Sequence, residues 1–398
     1  MHQKSSLSAW LRDRRWSLAV LLAAVLCFVV LRLILAPAAS PTAAPSGDYA
    51  EYDNGVIKEV LSDSTEPDPV SDGGYRGEQL LLVDVTTGQY TGETLLVHNY
   101  VGPLYGVPLM VGDRCTMVIS TYADGSHNAT VYEFERTVPL LIVLGVFLLV
   151  TVLVGGRTGA KSLIGLVFTV ASVLLLLFPA LLRGAATLPA TFLLCVYVAA
   201  VSFTVLGGVR RKTVCALLGT VAGMALALVF ALLSQTLLRI DGLRSADVEP
   251  LLQLRQTGTP IGLRGLLAAG VVISSLGAVM DVAMSLSSAL AEVHAADPGL
   301  DRRALWRSGM NIGRDMVGTM TNTLILAFLG SGLVLILYIY TLSPAPRMLL
   351  SSAFLSTEVV SAVSSSLGVI LSVPITAAIG AAMYANRPAK EADHGESV

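Results

Sequence analysis

The chain has 398 residues, 54% of them hydrophobic and 14% charged, with a mean hydropathy of +0.71. Soluble proteins carry about 25% charged residues, so this chain holds little more than half the charge that a water-facing surface needs. A soluble enzyme, a nucleic-acid reader and a secreted scaffold are excluded. The net charge of −2 hides an uneven distribution.

Residues 1–36 open with Lys4, Arg12, Arg14 and Arg15, followed by the apolar run Ser17–Leu35. That run exceeds the roughly 7–15 residues of a signal-peptide core and reads as an uncleaved first span. Cleavage near Ala36-Pro37-Ala38 is the competing reading.

Residues 37–136 differ in kind, with 15 acidic residues against four basic ones. Strand-length runs bounded by turn signals appear at Gly55–Leu61, Gln79–Thr86, Thr94–His98, Arg114–Thr121 and Thr130–Phe134. Asp124-Gly125 reads as a hairpin turn, Leu109–Asp113 as a turn into a strand, and Asp63–Gly74 as a loop. The expectation is a small acidic β-rich domain, a barrel or a sandwich, with a linker before it.

Residues 137–386 form the multi-span part. Spans are expected at Val138–Val154, Ser162–Leu182, Pro189–Leu206, Val214–Leu238, Gly265–Ala291 and Met316–Tyr340. Met348–Tyr384, with Gly368 and Pro374, is too long for one crossing and reads as an interfacial or half-membrane segment followed by a span. The fold class is thus a polytopic α-helical membrane protein of about eight spans, with an extracytoplasmic β-rich domain after the first. Arg157/Lys161, Arg210–Lys212, Arg302/Arg303/Arg307 and Arg387/Lys390 then fall inside with both termini, including the tail 387–398. Asp241–Arg264 is an outside loop carrying both signs of charge.

Ionisable residues inside spans are costly and are functional candidates. Asp281 lies mid-span, and at helical spacing Ser274, Gly277, Asp281, Ser285 and Ser288 share a face. Such a stripe packs on another helix or lines a wet path. Glu358 shares a face with Ser351, Ser361 and Ser365. If its segment crosses straight, it lies about 15 Å below the outer end, near the level of Asp281. Asp315 shares a face with Asn311, Gly318 and Asn322, with Thr319 beside them. The bland readings are helix packing by small residues, a structural hydrogen bond for Asp281 and hydrated interfacial positions for Asp315 and Glu358.

Other chemistry finds no support. All five histidines lie outside the spans, and no P-loop or H-E-x-x-H occurs. His98 and His127 lack metal-ligand spacing. Cys27, Cys115, Cys195 and Cys215 form no C-x-x-C pair. No catalytic constellation, metal site or cofactor is indicated, and the chain does not read as an enzyme.

The stretch Gly277–Ser285, then Gly309–Leu324, then Thr357-Glu358, with the external domain before it, resembles the YibE/F family of bacterial multi-span membrane proteins. The resemblance covers about Gly55 to Tyr384 and implies a plasma-membrane protein, without naming an activity. The leading functional expectation is a transporter or ion-coupled permease using Asp281, Asp315, Glu358, Thr319 and Asn322. A non-transporting scaffold or sensor that binds a partner through the β-domain is the alternative. The implied partners are the lipid bilayer and a proton or small ion; homo- or hetero-oligomers stay open.

Overall fold

The computed structural model describes residues 21–35, 49–122, 126–240, 249–256, 258, 260–341, 347–348 and 351–385. The Asp124-Gly125 turn, the basic N-terminal cluster, Asp241–Val248 and the tail lie outside the described residues. The chain divides into two compact units, Ala38–Leu153 and Met1–Pro37 with Val154–Val398.

The first unit is a closed five-stranded barrel. Its strands are β1 (Tyr49–Asp63), β3 (Tyr75–Val85), β4 (Thr94–Val101), β5 (Arg114–Thr121) and β6 (His127–Phe134), and the two-residue β2 (Glu66–Pro67) pairs with β3. Apolar residues alternate along the strands, so Leu81, Val83 and Val85, and again Cys115, Met117 and Ile119, all point into one core. β1 is long because it closes the ring. Its first half pairs antiparallel with β5 and its second half with β3. At the crossover stands Gly55, where a Cβ would lie 2.4 Å from both Met117 Cε and Val83 Cγ1. Two register shifts in β1 bend it further. β3 pairs with β4, β5 with β6, and a short parallel contact between β4 and β6 completes the barrel. Leaving out β2, this is the strand order of an OB-type barrel.

All five expected strands are present, and the last of them, expected at Thr130–Phe134, extends back to His127. The expected loop Asp63–Gly74 also holds β2. One polar knot fastens the barrel. Gln79, almost wholly buried, donates to Asp63 Oδ2 at 2.8 Å and to Leu109 O at 3.2 Å. Its Oε1 accepts from Leu109 N at 2.8 Å and Asn99 Nδ2 at 2.9 Å.

The second unit is helical. α1 (Leu21–Ile34) docks through Tyr197, whose hydroxyl donates to Ala24 O at 2.6 Å, and through Arg183, which donates to Ile34 O. α2 (Thr137–Ser172) runs through a π-helical turn at Val173–Leu177 into α3 (Phe178–Leu182). Two helices meet within α2, and their junction falls between the two expected spans, Val138–Val154 and Ser162–Leu182. The break is at Gly156, whose φ of 53° is left-handed. Arg157 and Lys161 follow that break directly, in the first turns of the helix that continues to Ser172.

α4 (Thr187–Gly207), α5 (Arg211–Leu238), α6 (Glu249–Gln256), α7 (Leu266–Ala296), α8 (Arg302–Ser331), α9 (Leu333–Thr341) and α10 (Ala353–Tyr384) follow. Among the described residues, five helical runs are long and apolar enough to cross a membrane: Thr137–Leu182, Thr187–Gly207, Arg211–Leu238, Leu266–Ala296 and Leu355–Tyr384. The span expected at Met316–Tyr340 is split between α8 and α9 around Gly332. The half-membrane segment expected before the last span is corrected as well, because Ala353–Tyr384 is one continuous helix. Gly368 serves packing there instead of a break. A Cβ on it would lie 2.8 Å from Ala227 Cβ.

α10 packs against α5, α7 and α8. Glycines set the approach. A Cβ on Gly223 of α5 would sit 2.8 Å from Ser372 Cβ, and one on Gly313 of α8 would sit 2.2 Å from Val373 Cγ1. Closely spaced backbones gain dispersion contacts that hydrocarbon lipid cannot outbid.

Candidate functional site

The site is built from polar stripes on three helices, and their relative depth follows from contacts. Ser274 Oγ of α7 lies 3.1 Å from Ser365 Oγ of α10. Further along, Val279 reaches Gly368 and Leu290 reaches Gly380. The two helices therefore run parallel in constant register. α8 runs antiparallel to α10, with Gly309 against Ala377, Gly313 against Val373 and Gly332 against Glu358.

This register puts Asp281 level with Asp315 and Gly318, with Thr319 and Asn322 within the next turn or so. Asp281, Ser274, Gly277 and Ser285 lie on the exposed side of α7. Ser274 of that stripe packs on α10 through Ser365, one of the stripe's two expected roles, whereas a Cβ on Gly277 would meet nothing within 4 Å among the described residues. Asp315, Thr319 and Asn322, with Asn311, are likewise exposed on α8. Thr319 turns its hydroxyl back to Met316 O at 3.1 Å and Asp315 O at 3.3 Å.

Glu358 sits elsewhere. It is half-buried near the start of α10, level with Leu267 at the beginning of α7. Fourteen residues of helix separate that level from Asp281, roughly 20 Å along the axis. The expectation that Glu358 lies near the level of Asp281 is therefore corrected. α10 begins at Ala353, so Glu358 is in its second turn.

From the level of Glu358 to just past that of Asp281 the interior is rich in hydroxyls. Ser364, Ser365, Ser366, Ser372 and Thr376 of α10 are buried, as is Ser275 of α7. Ser364 Oγ, Ser366 Oγ and Thr376 Oγ1 have no hydrogen-bond partner among the described residues. Neutral hydroxyls at these positions can donate or accept without fixing a charge. No group of three or more His, Cys, Asp or Glu placed to hold a metal ion occurs among the described residues.

A family model for YibE/F-like proteins matches residues 143–386, more than half of the chain. The chain belongs to the YibE/F-like family. No curated protein and no solved structure matches it. The match spans nearly the whole helical unit, including every carboxylate of the candidate site, and the apolar helices of this YibE/F-like protein make it membrane-embedded.

Reading residues alone missed the contribution of α5. Its Thr220 is buried, and its Gly219 and Gly223 face Thr376 and Ser372. The signal was available in Gly219-Thr220-Val221-Ala222-Gly223, a small-xxx-small pair that lets membrane helices close in.

Proposed function

We propose that this YibE/F-like protein is a multi-pass permease of the bacterial plasma membrane that moves a proton or small ion past Asp281. The proposal includes about eight spans, both termini in the cytoplasm and the acidic barrel outside. One observation carries it: Asp281 stands mid-helix among Ser274, Gly277 and Ser285, without a charged partner among the described residues, level with the polar face of α8. A carboxylate at such a depth is rare in membrane helices unless it meets water, an ion or a partner. Glu358, about 20 Å away, serves as a separate relay group near one end of the path. Asp315, Thr319 and Asn322 border it from α8.

The test is a flux assay in proteoliposomes under a pH gradient. Asp281→Asn keeps shape and hydrogen bonding, so it should leave expression and thermal stability intact and sharply lower coupled flux. Full activity in Asp281→Asn, Glu358→Gln and Asp315→Asn alike would end the permease reading. Thiol labelling from outside at a cysteine placed at Ser71 but not at Ser397 checks the orientation.

A scaffold or sensor role remains the second reading, favoured by the barrel. Gly73–Tyr75 and Gly102–Pro108 line a cleft with Glu133 and Arg136, and Leu104 and Tyr105 there are exposed. An unchanged flux in every carboxylate variant, with loss of a co-purifying partner on Tyr105→Ala, is the result this reading expects.

A further inference from the structure

The outward side of α8, which supplies Asp315 and Asn322 to the permease reading, carries a further pattern. The exposed positions Asn311, Asp315, Gly318, Asn322, Ile325 and Leu329 follow one another in alternate steps of four and three residues. This is the heptad spacing at which a helix forms a seam with another helix. The opposite side, with Leu305, Gly309 and Gly313, is buried. Through its contacts with α10, the seam lies within the depth of Leu355–Tyr384, a run apolar enough to cross a membrane. Lipid tails cannot satisfy Asn311, Asp315 and Asn322. Arg314 and Asp315 are both exposed, and neither makes an ion pair within the described residues.

We propose that this seam joins two copies of the chain as a parallel helix pair about a two-fold axis along the membrane normal. In such a pair each residue lies opposite its own copy, and a seam side chain packs beside the residue that precedes it in the other helix. Asp315 then meets Arg314 of the second copy, and the symmetry repeats the contact. One face thus supplies two reciprocal ion pairs from adjacent opposite charges. Gly318 removes bulk about one turn further, so the backbones can approach. Asn311 and Asn322 hydrogen-bond to their own copies, the use of seam asparagine that fixes register. Ile325 and Leu329 continue the contact as apolar packing. The inference shares Asp315 and Asn322 with the permease reading, but cross-linking yield tests it whether or not flux is affected.

The test uses the full chain in native membranes, in a Cys27→Ala background that leaves Cys115, Cys195 and Cys215 buried. Single cysteines replace Gly318, Asn322 or Ile325 on the seam, or Thr323, exposed but off it. On mild oxidation the seam cysteines should give a linked species of twice 41.7 kDa, in roughly tenfold higher yield than Thr323→Cys. Arg314→Asp and Asp315→Arg should each cut the Asn322→Cys yield, and the double swap should restore it. Equal yields on and off the seam, or linkage to a species of another mass, overturn the proposal. So does a well-folded double swap that fails to restore the yield. If the single charge variants do not fold, the seam periodicity alone decides.

Discussion

Ser274 Oγ and Ser365 Oγ lie 3.1 Å apart, and this hydrogen bond ties the polar stripes of α7 and α10 together at one level. Asp281 is seven residues beyond it on α7 and Glu358 seven residues before it on α10, about 10 Å to either side. The helices run parallel, so the two carboxylates diverge from the contact. They cannot share a proton as a close dyad does.

This separation has a kinetic consequence. Groups farther apart than about 7–10 Å with no shared partner contribute additively, within about 0.5 kcal/mol. The double variant Asp281→Asn/Glu358→Gln, measured by initial flux rate, should therefore lose the sum of the single losses on a logarithmic scale. A coupling well above about twofold would place both groups in one proton-sharing unit and contradict the register.

The glycines predict stability. A Cβ on Gly223 would stand 2.8 Å from Ser372 Cβ and Val279 Cγ1, and 3.0 Å from Gly368 O. Backbone cannot yield cheaply, so Gly223→Ala should cost about 1–3 kcal/mol as overpacking, read as a lower Tm in detergent. Gly313→Ala, against Val373, should behave alike. Gly277 has nothing within 4 Å of its Cβ direction, so Gly277→Ala should be neutral or gain up to about 1 kcal/mol in helix propensity. Equal effects at the three positions would mean that close packing does not set the approach of these helices.

How far the sequence could be read depended on the kind of signal. The barrel strands were legible because Leu81, Val83 and Val85 alternate with outward residues, a period that only a strand satisfies. The closure of the ring was not, since it depends on Gly55 admitting Met117 and Val83 across strands far apart in sequence. The Gln79 knot was hidden for the same reason. In the helical unit the stripes on α7 and α8 were legible from spacing. The depth of Glu358 was not, because an apolar run does not mark where a helix begins. Extended backbone at Ser352 starts α10 at Ala353, five residues after Met348, and the pairing of Ser274 with Ser365 across α7 and α10 sets the rest of the distance from Glu358 to Asp281.

Cys115 offers a reporter of barrel integrity. Its side chain is wholly buried, and burial, helped by nearby Asp113, pushes its thiol up to about 12. Thiolate is the reactive form, so at pH 8 the folded barrel should react with a maleimide roughly a thousandfold more slowly than an unfolded chain. A fragment spanning Gly47–Glu135 should show a β-type circular dichroism spectrum and one labelling transition coincident with its thermal unfolding. Fast labelling of the folded fragment would mean that Cys115 is not in the core.

The barrel's carboxylates set how it responds to acid. Asp63 is held below its ordinary value of 3.8, chiefly by the Thr65 hydroxyl, which donates to Asp63 Oδ1 at 2.6 Å. Ser71 does the same for Asp68, and Thr94 for Asp84, with Lys58 assisting. In each case the folded-state pKa lies below the unfolded one. The stabilisation is therefore present above the unfolded value and is lost as pH falls through the folded value. The Tm of the barrel fragment should be level near neutrality and fall once the pH drops below about 4. Thr94→Ala removes the 2.5 Å hydrogen bond to Asp84 and should lower the Tm at neutral pH. It should also flatten the acid decline, because less stabilisation is left to lose, so its curve should approach that of the unaltered fragment at low pH. Parallel curves would assign the Thr94 effect to packing, and a Tm that rises on acidification would mean that repulsion among the barrel's acidic groups outweighs these hydrogen bonds.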